Sequence, residues 1–242
     1  MKDCYLKIAE FLVKIENEDI MISHKSGYSI DPVDNPDLII STTPQDVETE
    51  RKLSVIDYGE NEYRFTAIQR KFAEWLPSRD AFVLHSAVFD VDGVGVAFAA
   101  HSGTGKTTHL RLWKKFLGEK MRIVNGDKPV IRFFPEEKET PYGYGSPWSG
   151  KERFGTDSRT VLKHICFIER ATENSVVPMR KEDAINRIFN QVYMPHTPMG
   201  VMKTMELIDR LLSSCQLWQI NCNMELSAAQ TAYEGIFGSV KE

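Results

Sequence analysis

The chain has 242 residues, 42% of them apolar and 26% charged, which is near the average of globular proteins and excludes general disorder. Its 30 Lys and Arg against 34 Asp and Glu leave a net charge of −4, so no basic excess exists to hold a phosphate backbone, and nucleic acid is excluded as the main partner. The longest apolar run, Val94 to Ala100, is far short of the roughly 20 residues that span a bilayer. Charges at Lys2, Asp3, Lys7, Glu10 and Lys14 interrupt any signal-peptide core. A soluble cytoplasmic protein without a membrane partner is expected.

Phe11, Val13 and Ile15 alternate with Leu12, Lys14 and Glu16, the period of a half-buried strand. Gly27, Pro32, Asn35-Pro36 and Pro44 read as turn punctuation and leave Asp37 to Ser41 as a second strand. Phe65, Ile68, Phe72, Ala73 and Leu76 recur at helical spacing until Pro77 stops them. Residues 1–77 thus read as a small β-rich module ending in a helix, with a second domain over 78–242. Ala81–Asp90 and Gly93–Ala100 are apolar runs joined by Val91-Asp92, which predicts an antiparallel hairpin. The helix after Gly105 carries Leu110, Trp113, Phe116 and Leu117 on one face and ends at Gly118.

Met121–Asn125, Pro129–Phe134 and Val161–Ile168 read as strands. Ala184, Ile185, Ile188, Phe189 and Val192 mark a helix, and Thr197-Pro198 opens another that is expected to bury Met205, Ile208, Leu211 and Leu212. Gln216–Asn221 is a late strand, and Ser227 with Gln230 reads as a capping box before the last helix. Strands interleaved with helices predict an α/β domain with a mixed sheet flanked by helices. Cys4, Cys166, Cys215 and Cys222 lack CxxC or zinc-like spacing and read as thiols of a reducing compartment.

The strongest chemical signal is Ser102-Gly103-Thr104-Gly105-Lys106-Thr107-Thr108. A nucleoside triphosphate needs inward-facing backbone N–H groups, a helix N-terminus, a cation for the β- and γ-oxygens and a hydroxyl for Mg²⁺. The segment offers all four, with Lys106 as the cation and Thr107 as the metal ligand. An apolar strand precedes it and an amphipathic helix follows, the context of a phosphate-binding loop. Ala100 stands where the pattern has its first glycine.

The guanine-reading signature of GTPases and the Leu-Ser-Gly-Gly-Gln signature of transporter ATPases are both absent from the sequence. Asn125-Gly126-Asp127-Lys128 closes the next strand. An Asp there holds Mg²⁺ or takes a proton from an attacking hydroxyl; the plainer reading is a β-turn between two strands.

Leu84-His85-Ser86-Ala87, the glycine-containing hairpin, the Ser-Gly-Thr-Gly-Lys-Thr-Thr segment and Asn125-Gly126-Asp127 together resemble the catalytic domain of HPr kinase/phosphorylase. They are also similar to the nucleotide-binding half of ATP-dependent phosphoenolpyruvate carboxykinase. Thr108 to Trp113 and Tyr144 to Glu152 resemble a group of bacterial HPr-kinase-related proteins. The resemblance covers residues 81–170 well and the remainder loosely.

It implies a phosphate-loop kinase fold with ATP and Mg²⁺ as cofactors, and His85 near the transferred phosphate. Both families carry two adjacent acids after the next strand; here Asp127 stands between Gly126 and Lys128, which leaves Lys128 as an extra phosphate contact. Arg153-Phe154-Gly155 echoes a carboxykinase segment. The resemblance also implies a homo-oligomer.

Tyr142–Glu152 is a second candidate site, a glycine-rich loop on which Lys151 neutralises charge on the γ-phosphate or the acceptor. The alternative is a structural loop whose Trp148 fills the core while Lys151 is solvated. The expected function is ATP- and Mg²⁺-dependent transfer of a phosphoryl group to a hydroxyl, a serine of a protein or peptide by analogy with HPr kinase. Asp127 or His85 would take the proton, and Lys151 or Arg153 would steady the transition state. A small-metabolite kinase and a nucleotide-binding scaffold with little chemistry are the alternatives.

Overall fold

The computed structural model describes residues 3–16, 27–101 and 103–238. Strands β1 (Cys4–Ile8) and β2 (Phe11–Glu16) pair antiparallel through Ala9 and Glu10, both at positive φ, and β3 (Leu38–Ser41) joins β2 in parallel. Burial alternates along β2 as its sequence period requires.

Pro44 is not loop punctuation: it is the first residue of helix α1 (Pro44–Leu53), where its missing N–H costs nothing. Thr43 caps that helix, its side chain accepting from the Asp46 N–H at 3.2 Å while Asp46 Oδ2 accepts the Thr43 N–H at 2.9 Å. Helix α2 (Glu60–Trp75) runs directly into a 3-10 turn, Leu76–Arg79, that contains Pro77. Phe65, Ile68, Phe72 and Ala73 of α2 cover the three-stranded sheet, and the same apolar cluster takes in Ala81, Val83, Val130, Tyr144 and Trp148.

The larger sheet is mixed. It contains β4 (Ala81–Val83), β5 (Ser86–Val91), β6 (Val94–Ala99), β7 (Met121–Asn125), β8 (Val130–Phe134), β9 (Glu137–Tyr144), β10 (Arg159–Arg170), β11 (Ser175–Pro178) and β12 (Gln216–Cys222). Neighbours run β4-β8-β9-β10-β6-β5-β7, and β12 lies parallel to β10 with β11 beyond it. The expected single strand over Ala81–Asp90 is two. Leu84 and His85 give their N–H groups to Pro129 and Gln191 carbonyls, so β4 pairs with β8 while β5 pairs with β6 and β7. The β5–β6 turn falls at Asp92 (φ 48°) and Gly93 (φ 88°), the Asp-Gly pair that a tight hairpin with two positive φ values favours.

Helices α3 (Lys106–Leu117) and α6 (Leu226–Phe237) cover one face of the sheet; α4 (Lys181–Phe189) and α5 (Pro198–Ser214) cover the other. Ala87, Phe89, Val96 and Phe98 face the first pair, and Val88, Ala97 and Ala99 the second. Burial on both faces is why β5 and β6 read as unbroken apolar runs. Phe89, Phe98 and Trp113 form an aromatic cluster with centroids 4.7 to 5.5 Å apart, locking α3 against β5 and β6.

Three further expectations need correction. Met205 is 52% exposed, and Leu207 takes the buried position on α5. The Ser227–Gln230 capping box does not form: α6 starts at Leu226, and the Ser227 hydroxyl accepts instead from Asn174 Nδ2 at 3.2 Å. Tyr142 to Tyr144 complete β9, so the glycine-rich loop begins only at Gly145. All four cysteines are free thiols. Among the described residues no helix is long and apolar enough to cross a membrane.

Candidate functional site

β6 ends at Ala99, and α3 begins at Lys106 with Gly105 as its N-cap. Gly103 (φ 79°) and Gly105 (φ 122°) adopt backbone angles that side chains disfavour, although a Cβ at either would meet nothing within 4 Å. The demand for glycine here is conformational, not steric. Gly105 occupies the N-cap of α3 and offers no side-chain cap, so the first-turn N–H groups of a 12-residue helix face the cleft without a side-chain acceptor among the described residues. Ala100 keeps a negative φ, as the missing glycine requires. Its carbonyl accepts from Lys106 Nζ at 2.6 Å. Burial pulls the Lys106 pKa down to about 8, against the opposing charge of Asp127 and with help from Lys128.

At the end of β7 the fully buried Asn125 serves as a mount. Its Oδ1 accepts the N–H groups of Asp127 at 2.9 Å and Lys128 at 2.8 Å, and its Nδ2 donates to the Ser146 carbonyl at 3.1 Å. The Asn-Gly-Asp segment is therefore a side-chain-stabilised turn that also fixes the acid. The loop after β9 closes over it: Gly126 N–H donates to the Phe154 carbonyl at 2.6 Å and Lys128 N–H to the Trp148 carbonyl at 3.1 Å. A Cβ on Gly126 would lie 3.0 Å from the Phe154 Cβ, so any side chain there would press that loop outward by a few tenths of an ångström.

Asp127 Oδ1 lies 3.2 Å from His85 Nε2 and 3.4 Å from Lys128 Nζ. Oδ2 has no hydrogen-bond or ion-pair partner among the described residues. Burial alone would raise the Asp127 pKa, but the His85 hydrogen bond and the Lys128 charge outweigh it and leave the carboxyl below its ordinary range. For His85 the Asp127 hydrogen bond pulls upward, while burial and the charges of Lys128 and Lys106 prevail and lower the pKa. His85 is thus neutral near pH 7, and the network assigns its proton to Nε2, pointing at Asp127, with Nδ1 left as an acceptor. Lys128 is also lowered by burial.

A cleft of about 560 Å³ brings His85, Gly103, Gly105, Lys106, Thr107, Thr108, Asp127 and Lys151 together. Lys151 is exposed at its edge, and Arg153, also exposed and at φ 54°, borders the adjoining groove instead. Thr104 lies in the loop without lining the cleft; its carbonyl accepts from Arg170 Nε at 3.1 Å. Ser102 lies outside the described residues. Trp148 takes the structural alternative: it is 4% exposed, stacks on Phe72 at 5.7 Å, lies tilted against Phe65 at 5.7 Å, and donates Nε1–H to the Phe65 carbonyl at 3.2 Å. His109 is a core residue of α3 that accepts from Trp113 Nε1 at 3.2 Å, and burial lowers its pKa to about 4.

Sequence reasoning missed several contributors. Arg111 and Glu152 form an ion pair across the cleft mouth, Arg111 also lies 5.8 Å from the Phe154 ring, and Arg170 clasps the Gly103 and Thr104 carbonyls. Arg170 reaches the loop because β10 runs parallel to β6, with Phe167 opposite Ala99. No local pattern announces such a pairing.

Among the described residues no group of three or more His, Cys, Asp or Glu side chains is placed to hold a metal. The available donors are hard oxygens, the Thr107 hydroxyl and the Asp127 carboxylate, a set that suits Mg²⁺ when phosphate oxygens and water complete the shell. The uncapped α3 N-terminus with buried Lys106 suits an anion.

No protein-family model matches the chain, and no curated protein matches it. Among solved structures, the HPr(Ser) kinase/phosphatase from Coxiella burnetii is similar, with a TM-score of 0.28 and 13% sequence identity over 53% of this chain and 90% of that one. So slight a likeness decides nothing about the cleft, whose reading rests on its own geometry.

Proposed function

We propose that this chain transfers a phosphoryl group from ATP, with Mg²⁺, to a hydroxyl acceptor, a serine of a protein or peptide. One observation carries the reading: a single cleft holds an acid bonded to a neutral histidine, a buried lysine and an uncapped helix N-terminus. In this reading the amides of residues 103–108 and Lys106 take the β- and γ-phosphates. The Thr107 hydroxyl and the Asp127 carboxylate would hold Mg²⁺, which when bound would neutralise charge on the phosphate oxygens.

Asp127 orients the attacking hydroxyl and accepts its proton, with Nδ1 of His85 as the second acceptor. The hydroxyl oxygen bonds to the γ-phosphorus, the bond from that phosphorus to the β,γ-bridging oxygen breaks, and ADP departs with the electron pair. Lys151 and Arg153 steady charge on the equatorial oxygens. A second reading, a nucleotide-binding scaffold, is favoured by Lys128, which engages one oxygen of Asp127 in place of a second acid. A small-molecule hydroxyl is the alternative acceptor.

ADP release from Mg²⁺-ATP by the wild type and Lys106→Ala, with macromolecular and small-molecule fractions of host extract added separately, tests the proposal. Lys106-dependent release stimulated by the macromolecular fraction is expected. Stimulation by the small-molecule fraction alone would move the acceptor to a metabolite. ATP binding without release would favour the scaffold, and no ATP binding would refute both readings.

A further inference from the structure

Three cavities meet around Asp127 and its two partners, His85 and Lys128. The cleft described above shares Asp127 and Lys151 with a groove of about 510 Å³ that is bounded on its far side by Tyr58 and by Thr66 and Gln69 of α2. A third, of about 330 Å³, shares His85 with the cleft and Lys128, Thr66 and Gln69 with that groove. Its walls include Leu53, Ala73, Val83, Val192 and the half-buried Tyr193. Gln191, 4% exposed, also lines it, and its Oε1 has no hydrogen-bond partner among the described residues. Charged and polar residues, Glu50, Arg70 and Lys128 among them, also line it, yet a buried acceptor left unpaired is costly unless a ligand donor meets it.

The rim carries the second observation. The last residue of α1 and the connection to α2 present Leu53, Val55, Ile56 and Tyr58 to solvent at 71, 100, 59 and 51% exposure. Four large apolar side chains within six residues leave half or more of their surface in water, and such clusters mark contact surfaces for another molecule. Leu53 and Tyr58 line the two grooves, whereas Val55 and Ile56 line neither. A ligand small enough to stay in a groove would leave Val55 and Ile56 bare. An extended chain leaving the groove over this connection would cover them.

We propose that the paired grooves receive an extended peptide acceptor bearing an apolar side chain next to its reacting hydroxyl. The hydroxyl-bearing residue sits at Asp127 and His85, its apolar neighbour occupies the α2 groove, a backbone or side-chain N–H of the peptide donates to Gln191 Oε1, and the emerging chain lies on residues 53–58. This placement rests on the phosphoryl-transfer reading of the cleft and assigns its acceptor.

Fluorescein-labelled octapeptides with a central serine, flanked by leucines or by glycines, are titrated with the full chain and Mg²⁺-AMP-PNP and read by fluorescence polarisation. Leucine-flanked peptides are expected to bind at least tenfold more tightly. Thr66→Trp, which fills the wall common to both grooves, and Leu53→Asp, which charges the rim, are each expected to weaken that binding at least tenfold. AMP-PNP affinity, measured by calorimetry, stays at the wild-type value in both.

Equal affinity for the two peptide sets, absence of peptide binding, or a folded Thr66→Trp that binds like wild type would overturn the proposal. Should Thr66→Trp also lose AMP-PNP binding, the solvent-exposed Leu53→Asp decides. Binding is read without turnover, so a failed ADP-release assay and a failed groove are separate results.

Discussion

Trp148→Ala is the perturbation that best joins the fold to the cleft. The indole fills the core beneath α2, against Phe65 and Phe72, while its own backbone carbonyl holds the Lys128 N–H at 3.1 Å. Truncation removes roughly 150 Å² of buried apolar surface, worth about 4 kcal/mol at ~25 cal/mol per Å². The lost Nε1–H bond to the Phe65 carbonyl adds about 1 kcal/mol, and partial collapse of the cavity offsets some of this, so a net loss of about 3–5 kcal/mol is expected.

The loop of residues 145–155 also loses its anchor, and with it the wall that Lys151, Glu152 and Phe154 give the cleft. AMP-PNP affinity should therefore fall about tenfold, or ~1.4 kcal/mol. Urea unfolding gives the first quantity and calorimetric titration the second, with Trp148→Phe as a milder control that keeps the ring contact but loses the N–H. A stability loss under about 1 kcal/mol with unchanged nucleotide affinity would refute the claim that Trp148 ties the two regions together.

Lys106 carries a cost of its own. Its pKa falls from 10.5 to about 8 on folding, so the folded state disfavours the charged form; that penalty is full below pH 8 and fades as pH rises from 8 to 10.5. Lys106→Met should accordingly stabilise the nucleotide-free protein by about 1–2 kcal/mol in urea unfolding at pH 7, with little gain at pH 10.5, while abolishing ADP release. His109, with a pKa lowered from 6.5 to about 4, stays neutral in the fold. Stability is therefore full above pH 6.5 and lost as pH falls towards 4, by about 2–3 kcal/mol; His109→Gln, which keeps an acceptor for Trp113, should flatten that slope in thermal melts. Asp127→Asn should slow ADP release at least ~100-fold while leaving Mg²⁺-free AMP-PNP affinity undiminished, because an acid beside the phosphates is removed. A parallel loss of that affinity would assign Asp127 to nucleotide binding instead of proton transfer.

Local chemistry made some elements readable and hid others. The β5–β6 hairpin and α3 follow from apolar periodicity, which acts within a few residues. The turn nevertheless sits at Asp92-Gly93, one residue beyond the expected Val91-Asp92, because Val91 still pairs with Val94. Pro44 misled because the same residue serves a turn and the first turn of a helix, and only the Thr43–Asp46 pair separates the two. Met205 misled because its helical spacing admits either edge of the α5 apolar stripe, and the contact with the sheet selects Leu207.

By itself the sequence determined the strand, glycine loop and helix around Lys106 and the turn bearing Asp127, because each depends on backbone preferences and side-chain bonds between near neighbours. Only the tertiary structure decided that Asp127 meets His85 and Lys128 through one oxygen, that Arg170 holds the loop and that Trp148 belongs to the core under α2. Those contacts are set by strand order and by which sheet face each helix covers. Periodicity fixes which side of an element is apolar, but not which distant element will cover it.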